Sequence, residues 1–338
     1  MTDSPLPAAP SVTILLPTHS ERPFIRDCLA SIQRQTYSNI VEVLVIDGGS
    51  TDGTRSIAAS LGAPFRLVDN PGVTAAAAMN VGLAEASGDI VVRMDAHALY
   101  ARNYVERCVA VLIETGADNV GGRMNPVGLT SFGRAVAAVT STPACVGPGS
   151  FHHAENRTEV DTVFLGCWRR ETLERLGGFD AEHLQWAAED HECNLRLTES
   201  GGRIVLDPSI HSTYFPRDTP RGLAKQYHNY GIGKVSTLRK HHRLPTWRSM
   251  PPAALVLLAG INLGVGVGVL RFVVPAGHAA VVSWSSRSAA KRAEHDTDLL
   301  RCILATEIMH WSFGLGFWRG VGRVLTGRGF VSNPRGHR

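Results

Sequence analysis

Asp95 and His97 stand two residues apart in VVRMDAHALY (91–100), where an apolar run meets polar residues. Residues i and i+2 at the end of an extended segment point the same way. A carboxylate oxygen and an imidazole nitrogen placed so suit one divalent cation, although a plain hydrophilic strand exit would carry the same residues. VIDGGSTDGT (45–54) puts Asp47 before two glycines and a Ser-Thr-Asp-Gly turn. That pattern brings backbone close to a ligand and offers a carboxylate that a uracil or ribose edge would satisfy; a tight turn between strand and helix is the simpler alternative. AAEDHECNLRL (187–197) supplies Glu189, Asp190 and Glu192 at an expected helix N-terminus, where the helix dipole stabilises anions. A carboxylate that stays ionised near neutrality accepts a proton from an attacking sugar hydroxyl, whereas a charged first turn facing water needs no chemistry.

The elements that must position these residues alternate. VTILLP (12–17), VEVLVID (41–47) and DIVVRMD (89–95) are β-branched runs of the kind found in strands buried on both faces. Between them lie helical stretches: Ile25, Leu29 and Ile32 share one face, with Pro23 suited to a first turn; Ala75, Met79 and Ala86 share another, and Val105, Val109 and Leu112 a third. This order predicts βαβ units and a mostly parallel α/β sheet, whose ligands collect beyond the carboxyl ends of the strands. Pro17, Thr18, Asp47 and Asp95 all fall at those ends. No G-x-G-x-x-G follows the first strand and no G-x-x-x-x-G-K-[ST] appears, which argues against a dinucleotide dehydrogenase and a P-loop enzyme. The Gly/Pro/Thr-rich stretch 116–165 resists assignment; DNVGGRMNP suggests a strand start and TSFGRAVAAVTSTP a helix or lid. A helix closed by Gly201 and Gly202 and a strand at RIVLDP are expected beyond it.

The 338 residues are enough to bury a sizeable core. A net charge of +4 is too mild to argue for nucleic acid, and much of the basic excess lies beyond residue 215. Six scattered cysteines without a CxxC pair fit reduced thiols in a cytosolic domain. Residues 1–10 lack the pattern of a signal peptide and read as a disordered leader. Beyond residue 250 the composition shifts: AALVLLAGINLGVGVGVL (253–270) carries no charge, FVVPAGHAAVVSW follows Arg271, and CILATEIMHWSFGLGFW (302–318) is largely apolar. A helix over 253–270 would reach roughly 27 Å, close to a bilayer core of about 30 Å. Basic clusters flank these runs, so membrane association is expected. Arg271 and Pro275 make a broken or re-entrant hairpin as good a reading as two clean spans.

Taken together, LLPTHSE, VIDGGSTDGT, NPGVTAAAAMNVGLAEASGDIVVRMDAH, ERLGGFDAEHLQWAAEDHE and KQYHNYGIGK resemble glycosyltransferase family 2 over about residues 11–235. The DAH triplet, the YGxGK stretch and MHWSFGLGFWRG are most similar to its branch of succinoglycan-type membrane glucosyltransferases. The resemblance implies a GT-A fold, an inverting mechanism, a nucleotide-sugar donor with a UDP-sugar first among the candidates, and a lipid-linked glycan acceptor at the inner membrane, with the catalytic domain cytoplasmic. It implies that Asp95 and His97 take the place of a metal-binding DxD holding Mn²⁺ or Mg²⁺, with His211 as a further ligand. Pro17, Thr18, Glu21, Asp47, Gly49, Asp52, Asn80, Arg93 and Asp95 would line the nucleotide-sugar site, with Gly48 where many members have a second aspartate. Asp190 would be the general base, preceded by Glu189. Trp186, Gln226, Tyr230 and Lys234 would face the acceptor or its phosphate. The expected domains are a catalytic unit at 11–215, a basic interfacial segment at 216–250, membrane-associated helices at 251–320 and a basic tail at 321–338. Two alternatives stand beside this reading. A sugar-1-phosphate nucleotidyltransferase would usually carry a Gly-rich basic loop where this chain has PTHSERPF, and a catalytically inactive membrane scaffold would have no need of Asp47, Asp95 and Asp190 together.

Overall fold

The structure is a computed structural model that describes residues 6–146, 154–242, 250–293 and 298–327. Its strands are β1 (Val12–Thr18), β2 (Ile40–Asp47), β3 (Phe65–Asp69), β4 (Ile90–Arg93), β5 (Ala98–Tyr100), β6 (Asn119–Pro126), β7 (Thr158–Glu159), β8 (Phe164–Arg169) and β9 (Ile204–Tyr214). They form one sheet in the order β3-β2-β1-β4-β8-β6-β9-β5, with β7 on β9. β3, β2, β1 and β4 run parallel, as do β6 and β9, while β8 lies antiparallel to both β4 and β6 and β5 antiparallel to β9. The mostly parallel α/β expectation holds.

Alternation along the parallel strands explains why they read as continuous apolar runs. Ile14, Leu16, Val43, Val45 and Val92 enter a core with the helices Ile25–Gln33 and Tyr104–Thr115, while Leu15, Leu44, Ile46 and Val91 enter another with the helix Ala75–Glu85. Thr74 starts that last helix by accepting the Ala77 N–H. The DNVGGRMNP and TSFGRAVAAVT stretches become β6 and the helix Ser131–Thr140. The described part of the expected leader is tied down rather than loose: Tyr37 and Asn39 donate to the carbonyls of Pro10 and Ala9, and Leu6 packs on the core. Residues 1–5 of it lie outside the described residues.

The C-terminal region corrects one expectation. Among the described residues no helix is both long and apolar enough to cross a membrane. The apolar run is divided into a helix Met250–Val265, a 3₁₀ turn Gly268–Phe272 and a helix Val273–Arg292. The physical cause is GVGVG: glycine weakens a helix, and Gly268 takes a left-handed φ of +55°. The broken hairpin is therefore the arrangement seen. The helix Leu299–Leu325 packs along the helix Pro220–His241, with Gly231 and Gly316 letting the two backbones meet and Gly320 making room for the Val235 side chain. Of the expected tail, 328–338 lie outside the described residues.

Candidate active site

β4 ends at Arg93, and Asp95 to His97 turn the chain into β5. Asp95 and His97 thus sit in a turn instead of at the end of an extended segment, yet they remain within electrostatic reach of each other. Tyr100 shapes the turn: its hydroxyl accepts the Asp95 N–H at 2.6 Å and donates to the Asp95 carbonyl at 3.0 Å. Nothing in the sequence singled Tyr100 out except its position two residues into β5. His97 Nδ1 lies 3.2 Å from Glu21 Oε1, which joins the turn to the loop after β1, and Tyr214 packs edge-on against the His97 ring.

Arg93 is the hub. Its Nε donates to Asp95 Oδ1 at 3.0 Å and its Nη1 to Glu189 Oε1 at 3.1 Å, with all three side chains largely buried. Burial pushes the Asp95 carboxyl up, but the Arg93 guanidinium and the His97 ring outweigh it and hold the group below the usual carboxylate range. Glu189 goes the other way: burial raises it, Arg93 offsets part of the rise, and the neighbouring Asp190 adds to it. Asp190 is half-buried at the start of the helix Glu189–Glu199, within reach of the Tyr230 phenol. Tyr230 stacks edge-on against Tyr227, and Gln226 donates to the Tyr214 hydroxyl at 3.2 Å. Carboxylates at two ends of one guanidinium thus face the carboxyl edge of the sheet, with an aromatic wall beyond Asp190.

The backbone explains how that dyad is held. Ala188 adopts a left-handed φ of 72°, an uncommon conformation for a residue with a Cβ that tends to mark functional sites. The helix Pro220–His241 lies directly on the preceding residue, because a Cβ at Gly233 would stand 2.5 Å from the Ala187 carbonyl oxygen. Two residues earlier, on the opposite side of the same helix, Gly231 meets the backbone of Phe313 and Phe317. The two glycines of YGIGK therefore wedge one helix between the Glu189–Asp190 start and the C-terminal helix. Gly233→Val is expected to cost about 1–3 kcal/mol by overpacking and to lower kcat more than it changes donor KM. Gly322→Ala, where an added Cβ meets nothing, should be neutral or stabilising by about 1 kcal/mol. Thermal melts and steady-state kinetics on the two variants check this; equal behaviour would contradict it.

Several residues expected to touch a ligand also organise the loops. The Asp47 carboxylate is enclosed and accepts from the Gly49 and Ser50 amides, the Ser50 and Thr18 hydroxyls and Arg55. Burial raises its carboxyl, and the Ser50 and Arg55 hydrogen bonds bring it below its ordinary value. Those bonds are about as many as a carboxylate's lone-pair sites accept, so the turn itself holds Asp47 in place at the carboxyl end of β2. Gly49 supplies one of these amides with φ +84°, and Pro17 pairs with Ile46 just before the loop. Asp52 accepts from Arg22 N–H and from Thr54 at the start of the helix Thr54–Ala59. Asn80 makes a two-way amide pair with the backbone of Phe179, fixing the GGF loop. Trp186 packs among Ile232, Val235 and Phe317 with Arg323 over its ring, and Lys234 is half-buried. Glu192 is a structural ion-pair centre, buried among Arg196, Lys240 and His241.

His211 does not join Asp95 and His97. It is exposed on the face of β9 opposite Tyr214, where it lines a cavity of about 300 Å³ with Arg123, Asn125 and Glu155. Among the described residues no three His, Cys, Asp or Glu side chains converge as metal ligands, so the expected three-residue set is not assembled. Asp95 and His97 still offer a carboxylate oxygen and an imidazole nitrogen within electrostatic reach of each other. That donor set fits Mn²⁺ or Mg²⁺ when phosphate oxygens and water complete the shell.

The chain matches the family model Glycosyl transferase family 2 over residues 13–139. It is 31% identical over 327 residues to the succinoglycan biosynthesis protein ExoA of Rhizobium meliloti (strain 1021), covering 91% of this chain and 94% of that one. Glycosyltransferase AglE of Haloferax volcanii is 33% identical over 250 residues, 70% of this chain and 80% of the other. Among solved structures, the mannosyltransferase PcManGT from Pyrobaculum calidifontis in complex with GDP-Man and Mn²⁺ is similar with a TM-score of 0.59 at 23% identity, over 91% of this chain and 89% of that one. That likeness is one of fold and shows a GT-A-like architecture. With the family match at 13–139 and a relative 31% identical over 91% of this chain's length, the chain belongs to glycosyltransferase family 2.

Proposed function

We propose that this glycosyltransferase is an inverting hexosyltransferase that moves a sugar from a nucleotide-sugar, a UDP-sugar first among them, to a lipid-linked saccharide in exopolysaccharide or cell-envelope glycan synthesis. The observation that carries the reading is the Asp95–Arg93–Glu189 bridge with Asp190 beside it. It sets a carboxylate suited to the leaving diphosphate and one suited to the attacking hydroxyl at two ends of one site. The name of the relative ExoA, a succinoglycan biosynthesis protein, supports a polysaccharide-type acceptor. The bound GDP-Man and Mn²⁺ of PcManGT are in keeping with a nucleotide-sugar and a divalent cation.

In this reading Asp190 accepts the proton of an acceptor hydroxyl as its oxygen bonds to the anomeric carbon and the bond from that carbon to the diphosphate oxygen breaks. One in-line step inverts the anomeric centre. Mn²⁺ or Mg²⁺, when bound, would neutralise charge developing on the diphosphate. Asp95 and His97 are the residues that would hold it. Tyr230 and Tyr227 present aromatic faces beside Asp190 suited to an acceptor sugar, and Gln226 fixes Tyr214 behind them. A nucleotidyltransferase needs no hydroxyl-activating carboxylate beyond the phosphates. A donor panel of UDP- and GDP-sugars with a polyprenyl-diphospho-sugar acceptor tests the reading: transfer to the acceptor supports it, and pyrophosphate release from a nucleoside triphosphate and a sugar phosphate would replace it.

The broken hairpin is the part that would rest on the membrane. Val265, Val267 and Val269 are 77%, 78% and 82% exposed, and Leu270, Phe272 and Val273 are exposed beside them. An apolar patch of this kind marks an interaction surface, and a lipid-linked acceptor keeps its sugar close to the headgroups. We place the hairpin tip in the interface of the inner membrane, with the catalytic unit on the cytoplasmic side where nucleotide-sugars are made. Burying an apolar side chain contributes about 1.5–3 kcal/mol. Replacing Val267, Val269, Leu270 and Phe272 together by Ser should therefore release the full-length protein from liposomes by at least about tenfold. Transfer to lipid-linked acceptor should fall with it while donor hydrolysis holds. Unchanged flotation of the variant would contradict the placement.

A further inference from the structure

Arg93 carries a consequence that a simple donor contact does not explain. A guanidinium keeps its charge under all accessible conditions and offers five N–H donors in a fixed fork. Here two ends of the fork reach carboxylates that lie two and 96 residues further along the chain than Arg93. Asp95 belongs to the turn after β4 and Glu189 to the start of the helix just before β9. Asp190 adds a third negative charge within reach of the same guanidinium. The other groups facing this cluster are His97, near Asp95, and Glu21, which pairs with His97. Three carboxylates around one guanidinium leave the interior short of positive charge, and each carboxylate competes for the same fixed cation.

We propose that Arg93 is a positioning residue shared between the two halves of the site: a divalent cation arriving at Asp95 competes with it there and shifts its hold toward the Glu189–Asp190 pair. Occupancy of the diphosphate side and alignment of the base are thereby linked through one side chain. By reciprocity, whatever happens at Glu189 must alter cation affinity at Asp95. The proposal deepens the functional reading and rests on its assignment of Asp95 as a cation ligand. It differs from the assignment of Arg93 as a donor contact, in which changes at Glu189 would leave the cation alone.

The test is a double-mutant cycle read in binding. Mn²⁺ is titrated calorimetrically into metal-free full-length protein, in separate runs without nucleotide, with UDP and with GDP. Glu189→Gln should weaken Mn²⁺ binding about fivefold or more, because the guanidinium then belongs to Asp95 alone. In an Arg93→Gln background the same change should have an effect within about twofold. Arg93→Lys keeps the charge but loses the fork; it should also lose the coupling, and it serves where Arg93→Gln does not fold. Equal Glu189→Gln effects with and without Arg93, no effect in the unmutated chain, or no Mn²⁺ binding in any run would each overturn the proposal. Kinetics give a second reading. Arg93→Lys should reduce kcat with donor KM within a few-fold, whereas a raised KM at unchanged kcat would make Arg93 a donor contact. A coupled cycle in a protein that transfers no sugar would overturn the functional reading and leave this one standing.

Discussion

Asp190→Asn is expected to lower the turnover of sugar transfer by about 10²–10⁴-fold, the range typical of a lost general base. Asparagine matches aspartate in shape and cannot take a proton. Asp190 lies half-buried at the first turn of its helix, within electrostatic reach of Glu189, Arg93 and Tyr230. The substitution therefore changes the transition state more than the ground state, and donor affinity should stay within a few-fold. Glu189→Gln separates the two carboxylates. Because Glu189 is buried and its Oε1 is already engaged by Arg93 at 3.1 Å, it is less available to an acceptor hydroxyl than Asp190, and its loss should act through the position of Asp190. Wild-type turnover in Asp190→Asn would move the base to Glu189. Single-turnover measurements on both variants decide.

Asp95→Ala, or exhaustive chelation of the native chain, is expected to reduce transfer by about 10²-fold or more, since a metal stabilising a leaving diphosphate is worth several kcal/mol. Unlike Asp190→Asn, Asp95→Ala should weaken donor binding and turnover together. The chelated protein should regain activity on adding Mn²⁺, and the Asp95→Ala protein should not. The pH dependence has a defined sign. Arg93 and His97 hold Asp95 below the usual carboxylate range despite its burial, so as pH falls Asp95 stays ionised after ordinary carboxylates have protonated. The Asp95 carboxylate band in infrared difference spectra, assigned by its loss in Asp95→Asn, should therefore persist through mild acid, and its disappearance there would contradict this placement of Arg93. Full activity in excess chelator would sink the cation role of Asp95 and His97.

What could be read from sequence followed burial and spacing. β1, β2 and β4 are enclosed on both faces, so their residues form unbroken apolar runs, and the polar residues that follow them mark the site edge directly. β8 was hidden because it lies between β4 and β6 yet contains Gly166 at φ +112° and turns straight into a short helix. β3 is a half-exposed edge strand with little apolar pattern. Residue type alone also leaves partners elsewhere in the fold undisclosed. Asp47, Asp52 and Asn80 have the chemistry of ligand-binding residues, and their bonds to neighbouring loops appear only when the chain is folded. The YGIGK stretch suggested an acceptor face, but its two glycines serve close backbone contacts on opposite sides of a helix. The 253–270 run has the hydropathy of a membrane span, while its glycines end the helix at Val265.

The most direct test of the central claim follows the anomeric centre. Full-length protein is supplied with Mn²⁺, α-linked nucleotide-sugars in turn and a polyprenyl-diphospho-sugar acceptor, and the product is read by NMR. A family 2 enzyme working through Asp190 in one in-line step yields a β-glycoside on the lipid-linked acceptor, and Asp190→Asn yields none. An α-linked product, or β-product formed equally well by Asp190→Asn, would contradict the account.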